Sequence, residues 1–182
     1  MNAISALIRT VVRHWLWIAL GTCVVLLGAA NYIEHVDGIR PCHLCLEQRK
    51  AYWAGGGIAL VGAAVGCTRW GPRTFRIFCA LLAVAFAYGL WQSVFQTGGE
   101  YHWWTLPESC EADPHAKPVT AENLKGLLDG SFIPQIVNCG KPAWWFPHIG
   151  EFKGLTMAAW NAIISFKLVA WSLFAAWRGQ KK

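Results

Sequence analysis

Four long apolar runs separated by polar segments of unequal length dominate the chain: Trp15 to Ile33, Ala51 to Cys67, Ile77 to Phe95 and Leu155 to Trp177. The first three contain no Asp, Glu, Lys or Arg, and the fourth is interrupted only by Lys167. Each comes near the roughly 20 helical residues that cross about 30 Å of hydrocarbon. The pattern therefore predicts an all-α membrane protein, a bundle of four transmembrane helices at about 15–33, 45–67, 77–95 and 155–177. The second run is the shortest and borrows a turn from the segment Cys42 to Lys50; its Gly55, Gly56 and Gly57 suit close packing on a neighbouring helix. The first run follows Arg9 and Arg13 as a signal peptide would. It is too long for one and ends in Asn31-Tyr-Ile-Glu34 without a small-x-small cleavage site, so it reads as a retained helix.

Composition agrees with lipid as the solvent. Of 182 residues, 55% are hydrophobic and 14% charged, against about a quarter charged in soluble domains. The basic residues fall on one side of the expected bundle: Arg9 and Arg13 before the first helix, Arg69, Arg73 and Arg76 between the second and third, Arg178, Lys181 and Lys182 at the end. By the positive-inside rule both termini are cytoplasmic, and the segments 34–45 and 96–154 lie outside. The net charge of +6 is then a topological signal and gives little reason to expect nucleic acid as a partner.

The seven cysteines sort by this topology. Cys23, Cys67 and Cys79 lie within or at the ends of apolar runs, where a thiol packs as a small hydrophobe. Cys42, Cys45, Cys110 and Cys139 all fall on the outer side, where disulfides persist. Three pairings of these four are open; the simplest joins Cys42 to Cys45 and Cys110 to Cys139. A CxxC ring closes too small a loop to stabilise much, so its usual use is exchange chemistry. A Cys110–Cys139 link would close a loop of about 30 residues, worth roughly 3 to 4 kcal/mol as a purely structural staple.

Pro41 suits the first turn of a helix, which would put a positive helix end beside the CxxC thiols. Arg49, four residues beyond Cys45, lies about 40° around that helix on the same face. A cation there lowers a thiol pKa and can stabilise an anionic partner, although Arg49 and Lys50 would equally serve as interfacial anchors. His43, inside the pair, can bias its reduction potential. Leu46 stands where covalent haem attachment needs His, and an outward Cys42, Cys45 and His43 make a poor zinc site in an oxidising compartment, so no metal is expected.

The long outer segment is broken by Pro114, Pro118, Gly130 and Pro134. It is expected to carry one short amphipathic helix, capped by Thr120 and running from Ala121 to Leu128, with Leu124, Leu127 and Leu128 on one face. Trp103, Trp104, Trp144, Trp145 and Phe146 fit an aromatic belt at the headgroup level, the alternative being that one or two of them wall a flat aromatic ligand. Lys167 either snorkels toward the cytoplasmic face or stands as a buried charge in the bundle.

The run Pro41-Cys42-His-Leu44-Cys45 followed by Gln48-Arg49, a second cysteine pair between the third and fourth helices, and Gly154-Leu-Thr-Met-Ala-Ala-Trp160-Asn161 opening the last helix resemble the disulfide bond formation protein B (DsbB) family over nearly the whole chain. The resemblance implies a bacterial inner-membrane quinone reductase that reoxidises a periplasmic, thioredoxin-fold, DsbA-like dithiol oxidant. It implies that Cys42 and Cys45 form the membrane-proximal pair, with Cys45 next to ubiquinone or menaquinone. Arg49 then resembles the quinone-side arginine. Cys110 and Cys139 resemble the periplasmic loop pair, with Cys110 forming the mixed disulfide with the partner. Two departures stand out: Gln96 occupies a place where many members carry His, and the segment from Cys139 to Gly154 is longer, with its run Pro142-Ala-Trp-Trp-Phe-Pro147. A tetraspan structural or adhesion protein with a stapled outer loop is the rival reading, but it has no need of CxxC or Arg49.

Overall fold

The computed structural model describes residues 3–36, 41–107, 110, 138–142, 145–146 and 154–179. Its elements are α1 (Ala3–Arg13), α2 (Trp15–His35), α3 (His43–Gly66), α4 (Gly71–Glu100), the two-residue strands β1 (Trp145–Phe146) and β2 (Leu155–Thr156), and α5 (Met157–Arg178). Three of these helices, α2, α4 and α5, are long and apolar enough to cross a membrane. The molecule is thus a helical membrane protein. The 24-residue α3, whose first turns carry Glu47, Gln48, Arg49 and Lys50, packs against α2 on one side and α4 on the other, while α5 lies along α4.

The helices start and stop for local reasons. Cys42, with extended backbone, caps α3: its sulfur accepts the Cys45 amide at 3.3 Å. Pro41 therefore stands just outside the helix rather than in its first turn, where its fixed φ still directs the chain into the cap. Thr156 caps α5 in the same way, its hydroxyl accepting the Ala159 amide at 3.1 Å. Pro72 opens α4, so Arg73 and Arg76 belong to its first turns rather than to a loop, and only the tight turn 67–70, with Arg69, separates α3 from α4. At its other end α4 runs to Glu100, five residues beyond the apolar stretch that ends at Phe95.

One core threads the bundle. Leu16, Ala19 and Cys23 of α2, Tyr52 and Ala59 of α3, Cys79, Leu82 and Phe86 of α4, and Leu168 and Ala175 of α5 are buried together. The Trp15 indole donates to the Ser172 hydroxyl at 3.1 Å across the bundle. Cys23 and Cys79 pack as expected of small hydrophobes; Cys67 does not, since it is exposed at the end of α3. Of the three consecutive glycines only Gly55 sits at a tight crossing, where a Cβ would come within 2.7 Å of the Phe86 ring, whereas nothing lies within 4 Å of one at Gly57. Lys167 is exposed on the outer surface of α5 rather than buried in the bundle.

Beyond α4 the chain folds back on itself. Gly98 and Gly99 permit this, because Cβ atoms there would collide with the Trp104 ring at 2.0 Å and with Leu106 at 2.4 Å. The Trp104 indole donates to the Phe95 carbonyl at 3.0 Å, and the two rings stack. Leu106 and Phe95 then pack against the cysteines. β1 pairs antiparallel with β2, Trp145 opposite Thr156 and Phe146 opposite Leu155; this brings residues 145–146 to the start of α5, with Gly154 at φ 80° preceding β2. The expected amphipathic helix 121–128 lies outside the described residues.

Candidate active site

The start of α3, the end of α4 and the two loop cysteines meet at one end of the bundle. Cys42, Leu44, Cys110 and Cys139 form a buried cluster against which Cys45, Phe95 and Leu106 pack. All four cysteines expected to carry chemistry are therefore together, although Cys42 and Cys139 are 97 positions apart in sequence. The sulfurs of Cys42 and Cys45 are 2.6 Å apart. The Cys139 amide donates to the Cys110 carbonyl at 3.0 Å, and the Cys139 sulfur meets the side chains of both Cys110 and Cys42. One loop cysteine thus touches a member of each pair.

Electrostatics set these thiols apart. Cys139 is held down to about 5, first by the hydrogen bond from the Cys42 thiol, against a desolvation cost, and then by the backbone N–H groups of Leu44 and His43 and by Cys110. These amides open α3, so the helix end that the sequence assigns to the CxxC thiols also serves the distant Cys139. Cys42 moves the other way, far above the ordinary thiol range, because it is the donor to Cys139 and to Cys45 and is buried. The arrangement is a thiolate facing a protonated thiol.

Cys45 borders, together with Cys42, a cavity of about 450 Å³ lined also by Ile33, Gln48, Arg49, Gln96, Glu100 and Asn161. Cys45, Gln48, Arg49 and Tyr52 reach it together because they follow one another at i+3, i+4 and i+7 on one face of α3. Leu26, Trp160 and Ile164 add apolar wall from α2 and α5. Its size and its mixture of apolar wall with a few fixed polar groups suit a flat organic molecule of moderate size.

The polar groups are tied in series. The Asn161 amide donates to Gln48 Oε1 at 2.6 Å and to Ser93 Oγ at 2.8 Å, Gln48 donates to Gln96 Oε1 at 2.8 Å, and Gln96 donates to Glu100 Oε1 at 3.0 Å. Tyr52 closes the inner end by bonding to Asn161 and, at 2.9 Å, to Ser165. Gln96 also lies against Cys45, its Nε2 at 3.8 Å from the sulfur. Gln96 thus stands at the centre of the site.

Arg49 has a different setting from the one its spacing suggests. It forms an ion pair with Glu34 of α2 and donates to the Ala30 carbonyl at 3.3 Å; across the bundle, Gln96 is the polar side chain that meets Cys45. Arg49 still forms cavity wall, braced by α2. Sequence reasoning missed Glu34, Tyr52, Glu100 and the linking roles of Gln48 and Asn161. The signal was available: polar residues on one face of a helix at i, i+3 and i+7, here Ser93, Gln96 and Glu100, mark a face turned away from lipid.

The family model described as disulfide bond formation protein DsbB matches residues 12–175. The chain belongs to the DsbB family. Proteins named disulfide bond formation protein B are similar to it over most of their length. That of Aromatoleum aromaticum is 33% identical over 159 residues, 81% of each chain. That of Methylococcus capsulatus is 30% identical over 168 residues, 87% of this chain and 90% of the relative, and that of Marinobacter nauticus 29% over 164 residues, 86% of each. As a DsbB-family member the protein is a membrane oxidoreductase of disulfide bond formation.

Proposed function

We propose that this DsbB-family protein is a four-span thiol:quinone oxidoreductase of the bacterial inner membrane. Its termini are cytoplasmic and its cysteine segments periplasmic, and it reoxidises a DsbA-like thioredoxin-fold dithiol and hands two electrons to ubiquinone or menaquinone. The observation that carries this reading is the position of Cys139, in contact with Cys110 and Cys42 at once, while Cys45 opens onto the cavity. The location of α3 between α2 and α4 supports a fourth span despite its polar first turns.

In the oxidised protein Cys110 pairs with Cys139 and Cys42 with Cys45. A thiolate of the partner attacks Cys110 rather than Cys139, because Cys139 lies against the Leu44 and His43 amides that open α3, which stabilise it as the leaving thiolate. The partner's second thiol then resolves the mixed disulfide, which releases the partner oxidised and leaves Cys110 reduced. The Cys139 thiolate attacks Cys42, on which it already lies, and the Cys42–Cys45 bond breaks with Cys45 as leaving thiolate. Attack of Cys110 on Cys139 restores the loop disulfide and leaves Cys42 and Cys45 reduced beside the cavity.

The residues around the cavity fit a quinone. Apolar walls from α2 and α5 suit a ring and tail, amides and Arg49 supply donors for carbonyl oxygens, and Cys45 supplies the reductant. When bound there, a quinone accepts two electrons and two protons and leaves as quinol. The chain's own contribution is to hold Cys45 at the wall through the first turn of α3, to orient the amides through the Asn161–Gln48–Gln96 series, and to keep Arg49 in place through Glu34.

A thioredoxin-fold partner stripped of its second cysteine tests the entry point. It should become covalently joined to Cys110, since nothing can then resolve the mixed disulfide, and peptide mass analysis locates the link. A link at Cys42 or Cys45 would overturn the order of the relay.

A further inference from the structure

Quinone reduction moves protons as well as electrons, and one residue at the site has no part in the cysteine relay. Glu100 is the last residue of α4 and only 8% exposed. It lines the same cavity as Cys45. Its Oε1 accepts from Gln96 Nε2 at 3.0 Å, and that same nitrogen lies 3.8 Å from the Cys45 sulfur. The Thr156 hydroxyl meets the carboxylate from the cap of α5, and Oε2 is buried with no hydrogen-bond partner among the described residues. The ion pairs among those residues are Arg49 with Glu34 and Lys50 with Glu47, so no cation there is committed to Glu100. Leaving a carboxylate oxygen buried and unsatisfied is costly, and a carboxyl in such a place is suited to take up a proton and give it to a developing oxyanion.

We propose that Glu100 is the proton carrier from the reduced Cys42–Cys45 pair to the quinone, a role that rests on the quinone reading of the cavity. Thiol exchange leaves Cys45 as the thiolate that supplies electrons; the Glu100 carboxylate takes up the proton released in that exchange, and the resulting carboxylic acid gives it to a quinone oxygen. The second proton of the quinol comes from the Cys42 thiol, and the Cys42–Cys45 bond re-forms. The sum is dithiol plus quinone to disulfide plus quinol, with no further reactant. Gln96 is the positioning residue, because its amide bonds the carboxylate and lies against the sulfur.

Two measurements on the full-length protein in lipid test this. Infrared difference spectra between the oxidised and dithiol-reduced protein, taken without quinone, should contain a carboxyl change at Glu100. It should vanish in Glu100→Gln and shift in Glu100→Asp; a spectrum unaltered by both substitutions would overturn the proposal. Single-turnover quinol formation with decylubiquinone should slow about a hundredfold in Glu100→Gln, with a larger solvent deuterium effect, partial recovery in Glu100→Asp, and quinone Kd within about threefold of wild type. A quinol rate within twofold of wild type, or a loss confined to Kd, would overturn it. Wild-type protein that forms no quinol at all would sink the quinone reading itself, a result distinct from a proton role that fails while wild type still turns over.

Discussion

Cys139 is the residue on which the proposed relay turns. Its sulfur lies on Cys42, beneath the amides that open α3, and is held near 5. The sign follows from the direction of that shift: above about pH 5 the reduced protein carries a thiolate at Cys139, and below it the thiolate is lost along with its nucleophilicity. Ultraviolet thiolate absorbance of the reduced protein, minus that of Cys139→Ala, should titrate near 5; a difference titrating at the ordinary 9.0 would remove the helix-end thiolate from the mechanism. The proposed role of Arg49 is separate, on the side of the quinone. Arg49→Ala should raise the quinone KM about tenfold, roughly 1.4 kcal/mol of lost binding, with kcat little changed, and steady-state assays with varied quinone read this directly. An unchanged KM would take Arg49 out of the cavity's function. The four cysteines and Arg49 were legible in the sequence because their residue types are rare outside redox and charge chemistry and their spacing is fixed. What was not legible is orientation: that Cys139 rather than Cys45 receives the helix-end amides, or that Arg49 turns to Glu34, depends on contacts between segments far apart in the chain.

At the scale of helices, crossings are governed by where a side chain is absent. At Gly89 of α4 a Cβ would lie 2.9 Å from the Ala51 Cβ of α3, just above the turn that holds Cys45, Gln48 and Arg49. Gly89→Ala should push the two helices apart and destabilise the protein by about 1 to 3 kcal/mol. Gly57→Ala, which meets nothing within 4 Å, should be neutral or slightly stabilising. Unfolding midpoints in detergent compare the two, and equal effects would contradict the close α3–α4 crossing. Hydrophobic runs located the long helices α2, α4 and α5 to within a few residues at most ends. They missed α1, whose alternation of Ile4, Leu7, Ile8, Val11 and Val12 with Arg9 and Arg13 is too short to read as a span. The apolar run also cut α4 short at both ends, since Arg73, Arg76, Gln96 and Glu100 are polar yet helical. The β1–β2 pair had no signal at two residues per strand.

Across the whole molecule, the bundle separates two kinds of chemistry by a single helix end. In the proposed relay thiol exchange belongs to the buried cluster of Cys42, Cys110 and Cys139, and Cys42 and Cys45 border the cavity, where the Gln96 amide lies against Cys45 and bonds Glu100. Fold-back of the chain at Gly98 and Gly99 is what lays residues 101–107 against this end, so Leu106 and Phe95 cover the cysteines. That division gives the relay its direction, from partner to Cys110, through Cys139 to Cys42, and out through Cys45. It is tested most directly by mixing the purified protein with a reduced thioredoxin-fold dithiol and a quinone, and following quinol against dithiol oxidised. One quinol should appear per dithiol in the wild type and none in Cys45→Ser; quinol formation that persists undiminished in Cys45→Ser would contradict the relay.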